Sequence, residues 1–411
     1  MKNSLRLWIR VVLAITLIGL AAGLIIGNQP QKKEKAKYIF LFIADGMGAS
    51  QVTLAESYHS YQKGALGGER LTFSDFPYFG MATTYSANRR ITCSAAAGTA
   101  IACGEKTINT RIGMDPEGNK LKSMCYDLKE DGYKIGIIST APVNHATPAS
   151  FYASVEDRGK FYEIMQTIPE TGFEFFAGSG FKKYYGNDKK QTGAEEYLEA
   201  RGYDVCFGED EYLARKEGTE KVVLCQKHNK GRHSREYTIV DPEGAHIYTL
   251  KDMLERGMEV IGEEEPFFFM CEGGTIDWAA HENNTMATIS LIDEFDEAVR
   301  LAYDFYLKHP DETLIIVTSD HDTGGASLGN GIEWLDDRLD WAALDSAWNM
   351  PSGKDSLSIE ENKALNDKAF IGWTTMQHTG NDVPVYAVGN GAERFSGKMD
   401  NSEFKSKILA L

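Results

Sequence analysis

The 411 residues contain no internal repeat and no low-complexity tract, which sets aside solenoids and extended linkers. Cationic residues are in short supply. Lys and Arg number 43 against 60 Asp and Glu, giving a formal net charge of −17 and a pI near 5.1. A nucleic-acid groove or an anionic membrane surface is therefore excluded as the main partner, and an anionic small molecule would need locally concentrated cations, of which bound metal ions are the obvious source. Only six cysteines occur, with no paired-cysteine metal motif and no lipobox cysteine. Cys206 and Cys225, in one polar segment, are the candidate disulfide, while Cys93, Cys103 and Cys271 sit among apolar or small residues and read as buried thiols.

With 42% hydrophobic and 25% charged residues, the chain is of globular composition. Its amino end places Lys2, Arg6 and Arg10 before an apolar run over 11–26 and a lysine-rich stretch, the pattern of an export signal. Residues 1–28 are expected to act as a signal peptide or an uncleaved anchor, since no clear small-x-small cleavage site follows. The expected location is periplasmic or extracellular, with a membrane tether left open.

Residues 37–411 read as a single catalytic domain. The apolar runs "KYIFLFIAD" (37–45), "YKIGIIST" (133–140), "FEFFAG" (173–178), "PFFFMCEGG" (266–274), "TLIIVTSDH" (313–321) and "PVYAVG" (384–389) are too continuous for strands with one wet face. Helical patterns over 120–130, 158–167, 249–262 and 286–308 alternate with them. The expected fold is α/β, a three-layer, doubly wound, largely parallel sheet with helices on both faces. Segments 182–245 and 325–377 are expected to be excursions from that sheet, the second walling the site beside His378.

In such sheets, ligands collect at the carboxyl ends of the strands. Asp45 ends the first run, Glu272 the fourth, and Asp320 and His321 the fifth, while Asp277 and His281 are spaced four apart for one helical face. So many carboxylates in one cleft repel unless cations neutralise them. Asp, Glu and His ligands suit zinc, with magnesium beside it. Two close ions form a clamp for in-line phosphoryl displacement. Ser94, in "TCSAAAGTA", stands at the start of a small-residue helix that Gly104 would end. It could serve as a plain N-cap; beside zinc its hydroxyl becomes a nucleophile. Arg158 could grip the phosphoryl oxygens with a bidentate fork.

The ordered motifs "IADGMG", "TCSAAAGTA", "ATPASFYASVEDR", "EGGTIDWAAH", "TSDHDTGG" and "QHTG" resemble those of the alkaline phosphatase family from about residue 37 to the carboxyl end. The resemblance implies one zinc on Asp45, Asp320 and His321 next to Ser94, and a second on Asp277, His281 and His378. A third ion, usually magnesium, would lie on Asp45, Thr147 and Glu272. Ser94 would carry the covalent phosphoryl group, and Arg158, eleven residues after Thr147, would hold the phosphate. The implied reaction is zinc-dependent hydrolysis of small phosphate monoesters of broad range, and a homodimer stays open.

Three positions depart from the family's best-known bacterial pattern. Cys93 stands where an aspartate usually anchors the phosphate-binding arginine. His145 and Trp278 stand where Asp and Lys are common, near the third ion or the phosphate, and an imidazole there leaves that ion open to zinc or cobalt. "CSAAAG" lacks the proline and arginine of a sulfatase signature. A phosphodiesterase of the same superfamily, and an exported phosphate or metal binder of weak turnover, remain as alternatives. His228 and His233 read as part of a solvated basic loop.

Overall fold

Six consecutive buried residues, Tyr38–Ile43, form the first strand, and their alternation explains the layers. Tyr38, Phe40 and Phe42 point into one apolar core, and Ile39, Leu41 and Ile43 into another on the opposite face. A strand buried on both faces must lie in the middle of a sheet covered on both sides. The structure, a computed structural model, describes Trp8 and residues 35–215, 218–226, 248–331, 339–348 and 357–410. The account that follows concerns the unit Ala36–Leu411, which is separate from Met1–Lys35. The apolar run over 11–26 and the histidines at 228 and 233 lie outside the described residues. Among the described residues no helix is long and apolar enough to cross a membrane.

The strands are β1 (Tyr38–Ile43), β2 (Tyr78–Thr83), β3 (Lys134–Ser139), β4 (Phe175–Gly178), β5 (Asp204–Phe207), β6 (Val222–Cys225), β7 (Phe267–Glu272), β8 (Thr313–Thr318), β9 (Ala326–Leu328), β10 (Ile371–Trp373), β11 (Val383–Gly389) and β12 (Gly397–Asp400). Ten of them form one sheet in the order β12-β2-β11-β8-β1-β7-β3-β4-β6-β5. All run the same way except β11, which is antiparallel to both neighbours, β8 and β2. The expected doubly wound α/β sheet is thus present, with one reversed strand.

The helices that bear on the site are α1 (Ala49–Gln62), α2 (Ser94–Cys103), α3 (Ala146–Ala149), α4 (Leu250–Ile261), α5 (Thr275–His281), α6 (Thr285–Tyr306) and α7 (Ile359–Lys368). Phe295 and Phe305 of α6 meet Phe42 and Phe40 at centroid distances of 5.8 and 5.7 Å, both edge-on, fastening this helix over the centre of the sheet.

The segment 182–245, read as an excursion, instead contributes β5 and β6 to the sheet's end. The expected disulfide within it is corrected by the same strands. Residues Phe207 and Cys225 are register partners, as are Cys206 and Leu224. Cys206 therefore faces one core and Cys225 the opposite core, and all six cysteines are free thiols. Two thiols on opposite faces of a sheet cannot bond without turning a strand over. The segment 325–377 does leave the sheet. It carries the β9–β10 pair and α7, and returns the chain at Met376 beside α5.

Candidate active site

Strands β8, β1, β7 and β3 are neighbours, and the register places Thr318, Ile43, Glu272 and Ser139 level with one another at their carboxyl ends. Asp320, Asp45 and Glu272 are thereby collected at one edge. Because β11 is reversed, the chain entering it brings His378 to the same edge, where it forms a bridge pair with Thr323. The turn after Asp45 needs glycine. Gly46 has φ +78°, and a Cβ on it would lie 2.9 Å from the Asp277 Cα.

Asp45, Glu272, Asp320 and His321 are wholly buried, and Asp277 and Ser94 nearly so. Ser94 is the first residue of α2, with Cys93 in the cap position, and neither side chain caps the helix. The plain cap reading therefore fails, and the Ser94 hydroxyl lies instead 3.3 Å from His321 Nε2. The same Nε2 is 3.4 Å from Asp45 Oδ1 and 3.2 Å from Asp320 Oδ2. On α5, Asp277 Oδ2 is 3.3 Å from His281 Nε2, and its Oδ1 is 3.7 Å from His378 Nε2.

The hydrogen bonds of these imidazoles assign their tautomers. His281 Nδ1–H donates to the Met376 carbonyl at 2.6 Å, and His378 Nδ1–H to the Thr92 carbonyl at 2.8 Å. The Thr323 hydroxyl donates to Asp277 Oδ1 at 2.6 Å, so it accepts from His321 Nδ1–H at 3.2 Å. With each Nδ1 proton so engaged, all three Nε2 lone pairs face carboxylate oxygens, an arrangement that repels unless a cation lies between them. Both Asp45 oxygens, Asp320 Oδ2, Glu272 Oε1 and Thr147 Oγ1 are buried without a hydrogen-bond partner. Orphaned buried acceptors in this number fit a metal centre.

Three groups of side chains could each hold an ion: Asp45, Asp320 and His321; Asp277, His321 and His378; and Asp45, His145 and Glu272. His281 stands just outside the second group, joined to it through Asp277. Cys93 belongs to none of them; it is half-buried, and its sulfur accepts the Thr110 N–H. This corrects its reading as a buried thiol. Thr147, on α3, lies against the third group with its side chain beside Glu272, and Ser139 donates its hydroxyl to Glu272.

The buried acids are shifted in opposite directions. Burial, with the charges of Asp320, Asp277 and Glu272, pushes the Asp45 carboxyl well above the carboxylate range. Burial raises Glu272 and Asp320 to about 7. Asp277 goes the other way. Burial opposes its ionisation, but the contact with His281 and the neighbouring imidazoles of His321 and His378 hold it low. His321 and His145 are kept neutral chiefly by burial.

Arg158 Nη2 donates to His145 Nε2 at 3.2 Å, and the Trp278 ring meets His145 edge-on at 5.9 Å. Among the described residues no carboxylate pairs with Arg158, as the cysteine at 93 foreshadows. The residues missed in the sequence are those behind the ligands: Gln51, Ser139, Asp322 and Thr323. Asp322 and Thr323 stood within "TSDHDTGG", whereas Gln51 carried no signal.

The profile of a known family, described as Alkaline phosphatase, matches residues 36–187 and 235–411. Alkaline phosphatase 3 of Bacillus subtilis is 29% identical, covering 98% of this chain and 95% of its own. Alkaline phosphatase 4 of the same organism is 30% identical over 95% of this chain and 94% of its own. Among solved structures, the alkaline phosphatase of the Antarctic bacterium TAB5 matches with a TM-score of 0.72 at 27% identity, covering 92% of this chain and 98% of that one. The cold-active enzyme of a psychrophilic Shewanella matches at 0.77 and 25% identity, covering 90% and 98%. A mutant of the TAB5 enzyme holds magnesium in its M3 site.

Proposed function

Because this chain belongs to the alkaline phosphatase family, and is a phosphatase of phosphate monoesters, we propose that it acts through a phosphoserine at Ser94 in a zinc-dependent site. One observation carries the proposal: the Ser94 hydroxyl lies 3.3 Å from an imidazole nitrogen on which two buried carboxylates also converge. Asp45, Asp320 and His321 would hold one zinc, and Asp277, His281 and His378 the other. The oxygens of Asp45, Glu272 and Thr147 suit magnesium. Ions held by these residues would lower the pKa of the serine hydroxyl and neutralise charge on the leaving oxygen.

The chain's own groups do the rest. Ser94 Oγ forms a bond to phosphorus as the alcohol's oxygen leaves on the opposite side, and water then displaces the serine in a second in-line step. Arg158 offers two N–H groups to the non-bridging oxygens. His145 orients that guanidinium in place of a carboxylate at position 93. While it accepts from Arg158 at Nε2, the proton of the neutral ring sits on Nδ1, so the ring cannot serve the arginine through Nε2 and an ion through Nδ1 at once. Fixed charges and hydrogen bonds matter most for such a loose transition state. We further propose export of the chain by its amino-terminal segment, with residues 37–411 forming the catalytic domain.

The test is hydrolysis of p-nitrophenyl phosphate by chelator-stripped protein before and after zinc is returned. Turnover should reappear with zinc and exceed that of bis-p-nitrophenyl phosphate. Properly loaded protein that shows no zinc-dependent turnover overturns the reading, and faster cleavage of the bis-ester makes the chain a phosphodiesterase.

A further inference from the structure

Gln51 and Asp322 belong to none of the three ion-binding groups, yet Gln51 is wholly buried and Asp322 almost so. Together they bind three separate loops. The Gln51 side-chain amide, from the first turn of α1, donates to the Thr323 carbonyl at 2.6 Å and to Asp322 Oδ1 at 3.1 Å, and lies 3.4 Å from the Gly46 carbonyl. The loop after β1, which carries Asp45, is so tied to the loop after β8, which carries His321. Asp322 then reaches the third loop. Its Oδ2 accepts from the Thr379 hydroxyl and, at 3.1 Å, from the Asn381 side-chain amide, while its carbonyl accepts the Thr379 N–H at 2.8 Å.

The carboxylate is fitted closely on its remaining side. A Cβ on Gly48 would stand 2.1 Å from Asp322 Oδ1, so the backbone of the "DGMG" turn closes directly over it. Every partner of this carboxylate is a neutral donor. Its contacts are therefore short-range and directional, and they disappear if either the acid or its donors are removed.

His378 reaches the site from a loop whose preceding limb is bonded to the Gly324 turn and, through the Met376 carbonyl, to His281. Its backbone pairs with Thr323, and its ring donates to the Thr92 carbonyl. The limb that follows, Thr379–Asn381, is gripped by Asp322. We propose that Asp322, braced by Gln51, is a positioning residue. It sets the His378 loop against the loops of Asp45 and His321, and thereby determines how tightly the Asp277, His281 and His378 site holds its ion. This rests on the metal-dependent reading above. Groups behind metal ligands commonly contribute 10- to 100-fold in affinity.

The experiment follows zinc uptake by stripped full-length protein in competition with a chromogenic chelator, for wild type, Asp322→Ala and Thr379→Val. The uptake step of the His378 site is identified by its loss in His378→Ala. Asp322→Ala should weaken that step about 10- to 100-fold and leave the others within about threefold. Thr379→Val, which keeps the buried acid and removes one donor, should weaken the same step by a smaller factor, and it carries the test if Asp322→Ala does not fold. With cobalt in place of zinc, the visible absorption of that site should shift in both variants, and the urea midpoint of metal-free Thr379→Val should fall only as far as the loss of one hydrogen bond requires. Parallel weakening of every step, or uptake unchanged in both variants, overturns the role of Asp322. A wild type that takes up no zinc overturns the metal-dependent reading as well.

Discussion

Ser94, a cap by its place in the sequence, is proposed to act as a nucleophile. A capping serine would have its oxygen on a backbone N–H of the first helical turn. Here that bond is absent, and the oxygen lies beside the His321, Asp45 and Asp320 cluster. Ser94→Ala should therefore cost little stability. It should lower kcat by at least about 10³-fold, since removing the group that forms the covalent bond disables the whole sequence of steps. Zinc content should stay at the wild-type level, and labelled phosphate trapped at low pH should no longer be carried by the protein. Phosphoenzyme at wild-type amounts in this variant would transfer the nucleophile to another residue. At this scale the titratable groups were legible in the sequence, because Asp45, Glu272, Asp320 and His321 end apolar runs. Thr323 lay inside a motif without a role of its own, and Gln51 carried no signal. Their work is done by a hydrogen bond across the site, and nothing in a linear sequence distinguishes such a glutamine or threonine from any other buried one.

At the scale of elements, the six apolar runs became β1, β3, β4, β7, β8 and β11, because a strand buried on both faces must be continuously apolar. What escaped were strands with mixed exposure and short buried strands set in charged sequence. β2 has half-buried and exposed residues along its length, β12 is largely exposed, and β5 and β6 are four residues each within charged sequence. The alternation of a strand also explains why Cys206 and Cys225 cannot meet, a fact that depends on which strand pairs with which. The turn after β1 is where an element becomes part of the site. Gly46→Ala forces a left-handed backbone on a residue with a Cβ, which costs roughly 1–2 kcal/mol, and presses that Cβ against Asp277 and Thr323. The expected result is a lower urea midpoint together with a loss of activity of about tenfold or more, since a misplacement of 1 Å can cost about 10²-fold. Full activity with an unchanged midpoint would show that the turn tolerates the side chain and that the contact with α5 is slack.

Taken as a whole, the molecule sets a buried anionic edge in the middle of a strongly apolar sheet, inside a chain that is already negative. Ion binding and folding must then be coupled, because ligands that bind only the folded state stabilise it by mass action, by about 4 kcal/mol for each site held at a thousandfold excess over its Kd. Chelation should lower the melting temperature, and zinc with magnesium should restore it. The size of the drop should depend on pH, and its sign follows from the acids. In the metal-free fold, burial raises Asp320 and Glu272 to about 7, whereas unfolded carboxylates titrate near pH 4. Between those values these two carboxyls hold protons that the unfolded chain has released, so their contribution to the stability of the metal-free protein falls as pH rises from about 4 to 7, while His321 and His145, neutral in the fold with or without ions, contribute in the opposite sense below about pH 6.5 and cancel from the comparison of loaded with stripped protein. Asp277, held low by its imidazole neighbours, acts in the opposite sense only below this window. Bound ions take the place of those protons, so the loaded protein should lack this decline. The gap in melting temperature between loaded and stripped protein should therefore widen from pH 5 to pH 8. Scanning calorimetry at both pH values, with and without chelator, measures it. A gap that narrowed over that range would mean that these carboxylates do not share their charge with bound ions.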